Sequence, residues 1–355
     1  MSNATNEAAA LLGHVMQDLA PFQADPAVEE ICVRPGVAHV WRHGRFERHA
    51  VGLDADDIED IATLAAAYWE QDVGPTKPLL GTDMPTGERL QVVLPPCVRR
   101  GKPSLTMRKA TAAEHDLDTL DSSGMFTNTA TGATGMTEAD RELLALYRAH
   151  DWKAFYRGAV LAKKTIVACG ETASGKTHFI RALMREIPLH ERLITVQDSD
   201  ELGELPHDNL VSLFFSAGNQ GTADVSAGKL VEAALRMRIG RLMLQELRKG
   251  DGAAGAFLRS LQTGHTGALT TVHARNPRDA FATMAGMVRE DPSAGSPAEV
   301  ERALRSYVDV VVHCARDPFR ITEVWFRPAA EEAAEVASGE DALPATGEAR
   351  AEATA

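Results

Sequence analysis

The chain has 355 residues, 44% hydrophobic and 25% charged, a balance that excludes fibrous or wholly disordered classes and allows two folded units plus a tail. Its formal charge of -13 argues against a protein that tracks nucleic acid, although Glu331, Glu332, Glu335, Glu340, Asp341, Glu348 and Glu352 put much of the excess at the C-terminal end. Cys32, Cys97, Cys169 and Cys314 form no C-x-x-C pair, so neither a disulfide framework nor a zinc site is expected.

In chain order, residues 8 to 20 (AAALLGHVMQDLA) read as an amphipathic helix, and EEICVRPGVAHVWRHGRFERH as strands turning at Pro35-Gly36 and His43-Gly44. Residues 54 to 70 are helical by period, with Ile58, Ile61, Leu64 and Ala65 on one side. RLQVVLPP and KPSLTMRK supply two further strands, which makes residues 1 to 117 an N-terminal α+β domain. Residues 118 to 137, rich in Gly, Ser, Thr and Asp, read as an interdomain linker, with Thr137 and Asp140 able to cap a helix from about Glu138 to Ala149.

From Lys163 the pattern changes. TIVAC, RLITVQD, NLVSLFF, RLMLQEL and ALTTVHA alternate with helical stretches at 176–187, 226–238, 251–263 and 277–290, which predicts a mostly parallel sheet covered by helices over residues 138 to 328. VDVVVHC and ITEVWF would close it as a hairpin across Asp317-Pro318. Residues 329 to 355, Ala/Glu-rich with few large apolar side chains, read as a disordered acidic tail. The start of the chain lacks a signal-peptide pattern and no apolar run approaches 18 residues, so a cytoplasmic protein is expected, with any membrane association peripheral.

Residues 170–177, GETASGKT, carry the chemistry. They follow a buried strand and open a helix, the context in which glycines let the backbone wrap phosphate oxygens and helix N–H groups face the anion. Gly170, Glu171, Thr172, Ala173, Ser174 and Gly175 would form the cradle, Lys176 would reach the β- and γ-phosphates, and the Thr177 hydroxyl would ligate magnesium, so ATP and Mg2+ are the expected ligands. Hydrolysis needs a further carboxylate on a neighbouring strand, and RLMLQELR offers Glu246. Asp198 and Glu201, after the RLITVQD strand, read equally as a helix cap with a solvated acid or as site carboxylates. His265 and His273 flank the ALTTVHA strand, as structural residues or as a phosphate-sensing or water-relay pair.

These segments in this order resemble the secretion ATPase superfamily, with its phosphate loop, acidic box, Walker B strand and histidine box. Within it, PLLGTDMPTGERLQVVLPP followed by SLTMRK is similar to the traffic ATPases of bacterial type IV secretion systems. The resemblance covers about residues 28 to 328 and implies an N-terminal α+β domain followed by a RecA-like P-loop NTPase domain, assembled as a cytoplasmic homohexamer. It further implies ATP hydrolysis driving substrate transfer or pilus assembly, with other type IV secretion ATPases and inner-membrane channel subunits as partners and no strong direct nucleic-acid binding. By residue, it implies Lys176 and Thr177 on phosphate and magnesium, Glu246 as catalytic carboxylate, and Asp198 and Glu201 in the acidic box. His265 and His273 would form the histidine box, with Arg89 and Arg108 reaching nucleotide from the N-terminal domain. The chain departs from the pattern at Gln197 (usually Glu), at Gln245 (usually Gly) and at Ile239-Gly240 (usually Pro-Asp); Gln245 is bulkier than glycine and could narrow the approach of water and slow turnover, while Lys176, Thr177 and Glu246 all remain. Two readings compete: a motor of type II secretion or type IV pili, and a nucleotide-binding scaffold with little hydrolysis. A DNA-stimulated helicase is a third, opposed by the 5% aromatic content and scattered basic residues.

Overall fold

A computed structural model describes residues 3–109, 116–127, 129, 135–291 and 293–340. The chain opens with α1 (Asn3–Val15), a 3-10 turn at Gln17–Leu19 and α2 (Ala20–Ala24). The helix expected over 8–20 thus starts earlier and breaks before Pro21, which cannot continue it. There follow β1 (Val28–Arg34), β2 (Val37–Arg42), β3 (Arg45–Ala50), α3 (Ala55–Tyr68), β4 (Leu79–Asp83), β5 (Arg89–Val93) and β6 (Ser104–Arg108). They form a six-stranded antiparallel sheet in the order β3-β2-β1-β6-β5-β4. α1 and α3 cover one face, burying Leu12, Met16, Ile58 and Ile61 against Ile31, Val33, Leu105 and Met107. α3 is held at its start by a reciprocal capping box between Asp54 and Asp57.

Within the expected linker lies a short helix, α4 (Leu117–Ser122), whose first turn is capped by Asp116; residues 128 and 130 to 134 lie outside the described residues. Thr137 and Asp140 then form a capping box for α5 (Glu138–Arg148). α6 (Trp152–Leu161), β7 (Ile166–Cys169), α7 (Lys176–Met184), β8 (Leu193–Gln197), β9 (Leu210–Phe214), α8 (Ala227–Ala234) and β10 (Arg241–Leu244) come next. The chain continues through α9 (Ala253–Gln262), β11 (Leu269–Val272), α10 (Pro277–Val288), α11 (Pro297–Tyr307), β12 (Val310–Ala315), β13 (Arg320–Phe326) and α12 (Arg327–Glu340).

The second sheet has seven strands in the order β13-β12-β7-β11-β10-β8-β9, parallel except for the terminal β12–β13 hairpin. Its central strands are buried along their whole length, as strands covered on both faces must be. The expected disordered tail needs correction at its beginning. Residues 327–340 are helical because Ala and Glu are strong helix formers, and the helix is tied down where Arg327 pairs with Asp309 at 2.8 Å and Arg148 pairs with Glu332. Residues 341 to 355 lie outside the described residues.

The antiparallel sheet docks beside β8 and β9. Val93, Cys97 and Val98, at the end of β5 and in the segment after it, share a core with Ile194, Val196 and Leu213, and the Phe214 N–H donates to the Cys97 carbonyl at 2.8 Å. A second seam gathers around Asp208, whose carboxylate lies 2.8 Å from Arg48 and 3.0 Å from His39. Arg192, 1% exposed, adds a buried link by donating to the Met237 carbonyl, to Asn209 and, across the seam, to the Thr106 hydroxyl at 3.3 Å.

Candidate nucleotide site

Ligands of open parallel sheets sit beyond the carboxyl ends of the strands, and the strand order decides which ends are neighbours. Because β11 lies between β7 and β10, the residue following β11 falls between the loop after β7 and the carboxylate after β10. That residue is His273. Its Nε2 is 2.6 Å from a Glu246 carboxylate oxygen and its Nδ1 is 3.3 Å from the Lys176 ammonium.

The loop between β7 and α7 needs glycine at both of its ends. A side chain at Gly170 would put its Cβ 2.3 Å from the Cys314 carbonyl oxygen and 2.5 Å from Ser174 Oγ. Gly175 takes φ +86° as the N-cap of α7 and offers the helix no side-chain acceptor, so the first N–H groups of α7 remain to be satisfied by an anion. Ser174 Oγ is buried without a hydrogen-bond partner. The uncapped helix start and the orphaned hydroxyl together fit a phosphate. Lys176, 7% exposed, donates to the Gly170 and Glu171 carbonyls at 3.0 and 2.7 Å, which holds its ammonium over the loop. Burial lowers its pKa, and the Glu246 charge opposes that shift. Thr177 stands next to it on the first turn of α7.

On the other side of Glu246, Arg248 donates through Nε to Glu246 at 2.7 Å and through Nη1 to Asp198. Burial works against the Arg248 charge, but the two carboxylates outweigh it and raise its pKa. Lys176, His273, Glu246, Arg248 and Asp198 therefore form one continuous chain of polar contacts along the carboxyl edge of the sheet. Among the described residues no three His, Cys, Asp or Glu side chains converge to hold a metal by themselves. A magnesium ion here would depend on the Thr177 hydroxyl, phosphate oxygens and water, with Asp198 and Glu246 nearby as second partners, a donor set that suits its preference for retained water.

Two of the three departures from the sequence pattern, Gln245 and Gln197, serve this edge. Gln245 turns its amide toward the turn after β8, where its oxygen accepts from the Asp198 and Ser199 N–H groups at 3.0 and 3.4 Å and its nitrogen donates to Ser199 Oγ at 3.1 Å. Gln197 is fully buried and accepts from the Leu202 N–H at 3.2 Å, closing the same turn. In this orientation the Gln245 amide is engaged by the turn after β8. Arg248, which carries the contact between Asp198 and Glu246, is a site residue that the sequence reading misses. Its signal is a cation two positions after a strand-ending acid.

Other expected residues lie elsewhere. Glu201 is exposed, and its carboxylate makes no hydrogen bond or ion pair with the described residues. His265 precedes β11 where His273 follows it, and a strand of that length separates them by roughly 13 Å or more. His265 instead lines a cavity of about 1340 Å3 between the two sheets, together with Arg89 and Arg108. The residues that line it from the second sheet, including Lys163, Arg192, Gly240 and Thr266, all precede their strands, so the cavity opens at the amino edge, opposite Lys176. The expectation that Arg89, Arg108 and His265 meet the nucleotide alongside Lys176 is thus corrected for a single chain. Burial lowers the His265 pKa.

The geometry defines a P-loop nucleotide-binding protein. The family model described as Type II/IV secretion system protein matches residues 141–334. Protein VirB11 of Rhizobium radiobacter is 36% identical over 322 residues, covering 88% of this chain and 93% of that protein. The type IV secretion system protein VirB11 of Brucella suis is 36% identical over 331 residues, covering 90% and 91%. The crystal structure of the VirB11 ATPase from the Brucella suis type IV secretion system, in complex with sulphate, aligns with a TM-score of 0.87 at 34% identity, over 94% of this chain and 100% of that one. The chain belongs to the VirB11 family of type IV secretion ATPases.

Proposed function

We propose that the protein is a hexameric ATPase that hydrolyses ATP to power substrate transfer or pilus assembly by a type IV secretion system, working at the cytoplasmic face of the inner membrane with channel subunits and other ATPases of the system. The observation that carries the hydrolytic part is the contact chain from Lys176 through His273 to Glu246. It sets a phosphate-reaching cation and a carboxylate on either side of one imidazole. Magnesium, when bound, supplies neutralisation of charge on the phosphates. The α7 N-terminus and Ser174 hold the phosphate oxygens, Lys176 follows the charge as it develops, and Glu246 orients and accepts a proton from the attacking water, with His273 and Arg248 fixing its rotamer. In this reading Arg89, Arg108 and His265 act only where a ring brings their edge against the P-loop of a neighbouring copy. Among the described residues no helix is long and apolar enough to cross a membrane. Membership of the VirB11 family favours type IV secretion over the motors of type II secretion and type IV pili.

The test is ATP turnover by purified protein as its concentration is raised. Turnover should rise cooperatively with assembly, disappear in Lys176→Ala, and fall about 10²- to 10⁴-fold in Glu246→Gln, the range for loss of a positioned base. Tight ATP binding without turnover in the assembled wild type would replace this reading with a nucleotide-binding scaffold.

A further inference from the structure

The segment joining β5 to β6 belongs to the antiparallel unit by sequence and to the nucleotide-binding unit by packing. Cys97 and Val98 are buried in the core of the second sheet, and the Cys97 carbonyl extends the hydrogen bonding of β9 through Phe214. The next residue, Arg99, lies over the Phe214 ring with its guanidinium carbon 5.8 Å from the centroid, and pairs with Asp200. Asp200 sits in the turn whose neighbouring Asp198 holds Arg248 against Glu246. The same turn is held from the sheet side by Gln245 and from within by Gln197. A cation of the N-terminal unit is therefore paired with a residue two positions along the chain from a carboxylate in direct contact with the catalytic network.

We propose that Arg99 is a positioning residue that couples the placement of the N-terminal unit to the nucleotide site of its own chain: by fixing Asp200 it sets the turn at 197–202, and through Asp198 and Arg248 the rotamer of Glu246. The coupling rests on the ATPase reading above for its effect on turnover, but not for its effect on the turn. When the N-terminal unit stays docked, Asp198 is held where it can share Arg248 with Glu246. When the Arg99–Asp200 contact is lost, Asp198 loses that restraint and Arg248 is free to follow either carboxylate. Arg99 and Asp200 are both about half exposed, with side chains 45% and 43% accessible, so their contact is weak enough to break and re-form without disrupting the fold.

Two readouts test this on the full-length wild type, Arg99→Ala, Arg99→Lys, Asp200→Asn and the exchanged pair Arg99→Asp/Asp200→Arg. Hydrogen exchange of a peptide spanning 195–204 should quicken in Arg99→Ala and Asp200→Asn, without nucleotide and with an unchanged melting temperature, and should be restored in Arg99→Lys and in the exchanged pair. In the same two single variants kcat should fall about two- to fivefold with the KM for ATP unchanged, the split expected when a group acts on the chemistry without touching substrate. Unchanged exchange in Arg99→Ala overturns the proposal whatever the turnover. Quickened exchange with unaltered kcat in an active enzyme overturns the coupling to Glu246. A wild type that shows no turnover contradicts the ATPase reading instead, and the exchange arm still decides whether Arg99 holds the turn.

Discussion

Gln245 precedes Glu246 at the end of β10, and its amide is the cross-link between β10 and the turn after β8. Replacing it by the glycine usual in the family removes three hydrogen bonds and leaves the Asp198 and Ser199 N–H groups without this partner. At about 0.5–1.5 kcal/mol each, their loss is enough to free Asp198 and with it Arg248. The expected result for Gln245→Gly is a fall in kcat of about fivefold or more with a smaller change in KM, measured by steady-state ATP turnover. A rise would mean that the side chain obstructs water, as its size alone suggests. Lys176 is legible in the sequence from the phosphate-loop spacing, and Glu246 and His273 because each follows an apolar strand. What is not legible is direction within a side chain's reach: nothing in QEL tells whether the Gln245 amide points at the nucleotide or away from it, since that depends on the turn from β8 that it meets. The exclusion of His265 is within reach, because a residue before a parallel strand cannot share an edge with one after it.

At the level of elements, regular hydrophobic runs are readable and short or interrupted ones are not. β7, β8, β9, β10 and β11 are short runs dominated by apolar and β-branched residues, and all five emerge from the sequence. β4 escapes it because Gly81, Thr82 and Asp83 look like a loop; it becomes a strand by pairing in register with β5, from Leu79 with Val93 to Asp83 with Arg89. α6 and α11 escape it because Trp, Tyr and charged residues break the periodic pattern, although Phe155 and Leu304 anchor them to the core. The packing of α8 on the start of α9 gives a prediction. A methyl group at Gly228 would lie 2.8 Å from both the carbonyl carbon and the oxygen of Gly252, backbone atoms that cannot swing aside. Gly228→Ala should therefore force the two helices apart and cost about 1–3 kcal/mol, as overpacking does. Gly286, exposed in the last turn of α10 with nothing within 4 Å of where a methyl group would stand, provides the opposite sign. Gly286→Ala should stabilise by about 0.5–1 kcal/mol. Calorimetric melting of the two variants against wild type checks both; equal shifts would mean that α8 and α9 are not in fixed contact.

Across the whole molecule, the two sheets are held together at the β8–β9 side by a shared apolar core and by charge and hydrogen bonds, and one of those polar contacts runs through a histidine. His39 is 4% exposed, with Nε2 3.0 Å from the Asp208 carboxylate and the guanidinium groups of Arg34, Arg48 and Arg192 around it. Burial lowers the His39 pKa; Asp208 opposes the shift, and Arg34 and Arg192 add to it. The imidazole therefore stays neutral in the docked molecule to a lower pH than in an unfolded or undocked one. Below its ordinary value of about 6.5, the open form binds the proton more readily, so docking is fully stable above that pH and weakens as pH falls through and below it. The Asp208 carboxyl follows in a lower window: its pKa is also lowered, with burial opposing the favourable contacts from His39 and Arg48, so its contribution is lost only as pH drops below the usual carboxylate range. Acidifying from pH 7.5 to about 5.5 should thus loosen the seam through His39 alone, and limited proteolysis in the 116–137 connection should speed up over that interval. His39→Gln keeps a donor for Asp208 without a titrating ring, and should remove most of the pH dependence while leaving the rate at the upper pH near that of wild type. A pH profile identical in the variant would assign the loosening to other groups and leave the seam at Asp208 indifferent to protonation of His39.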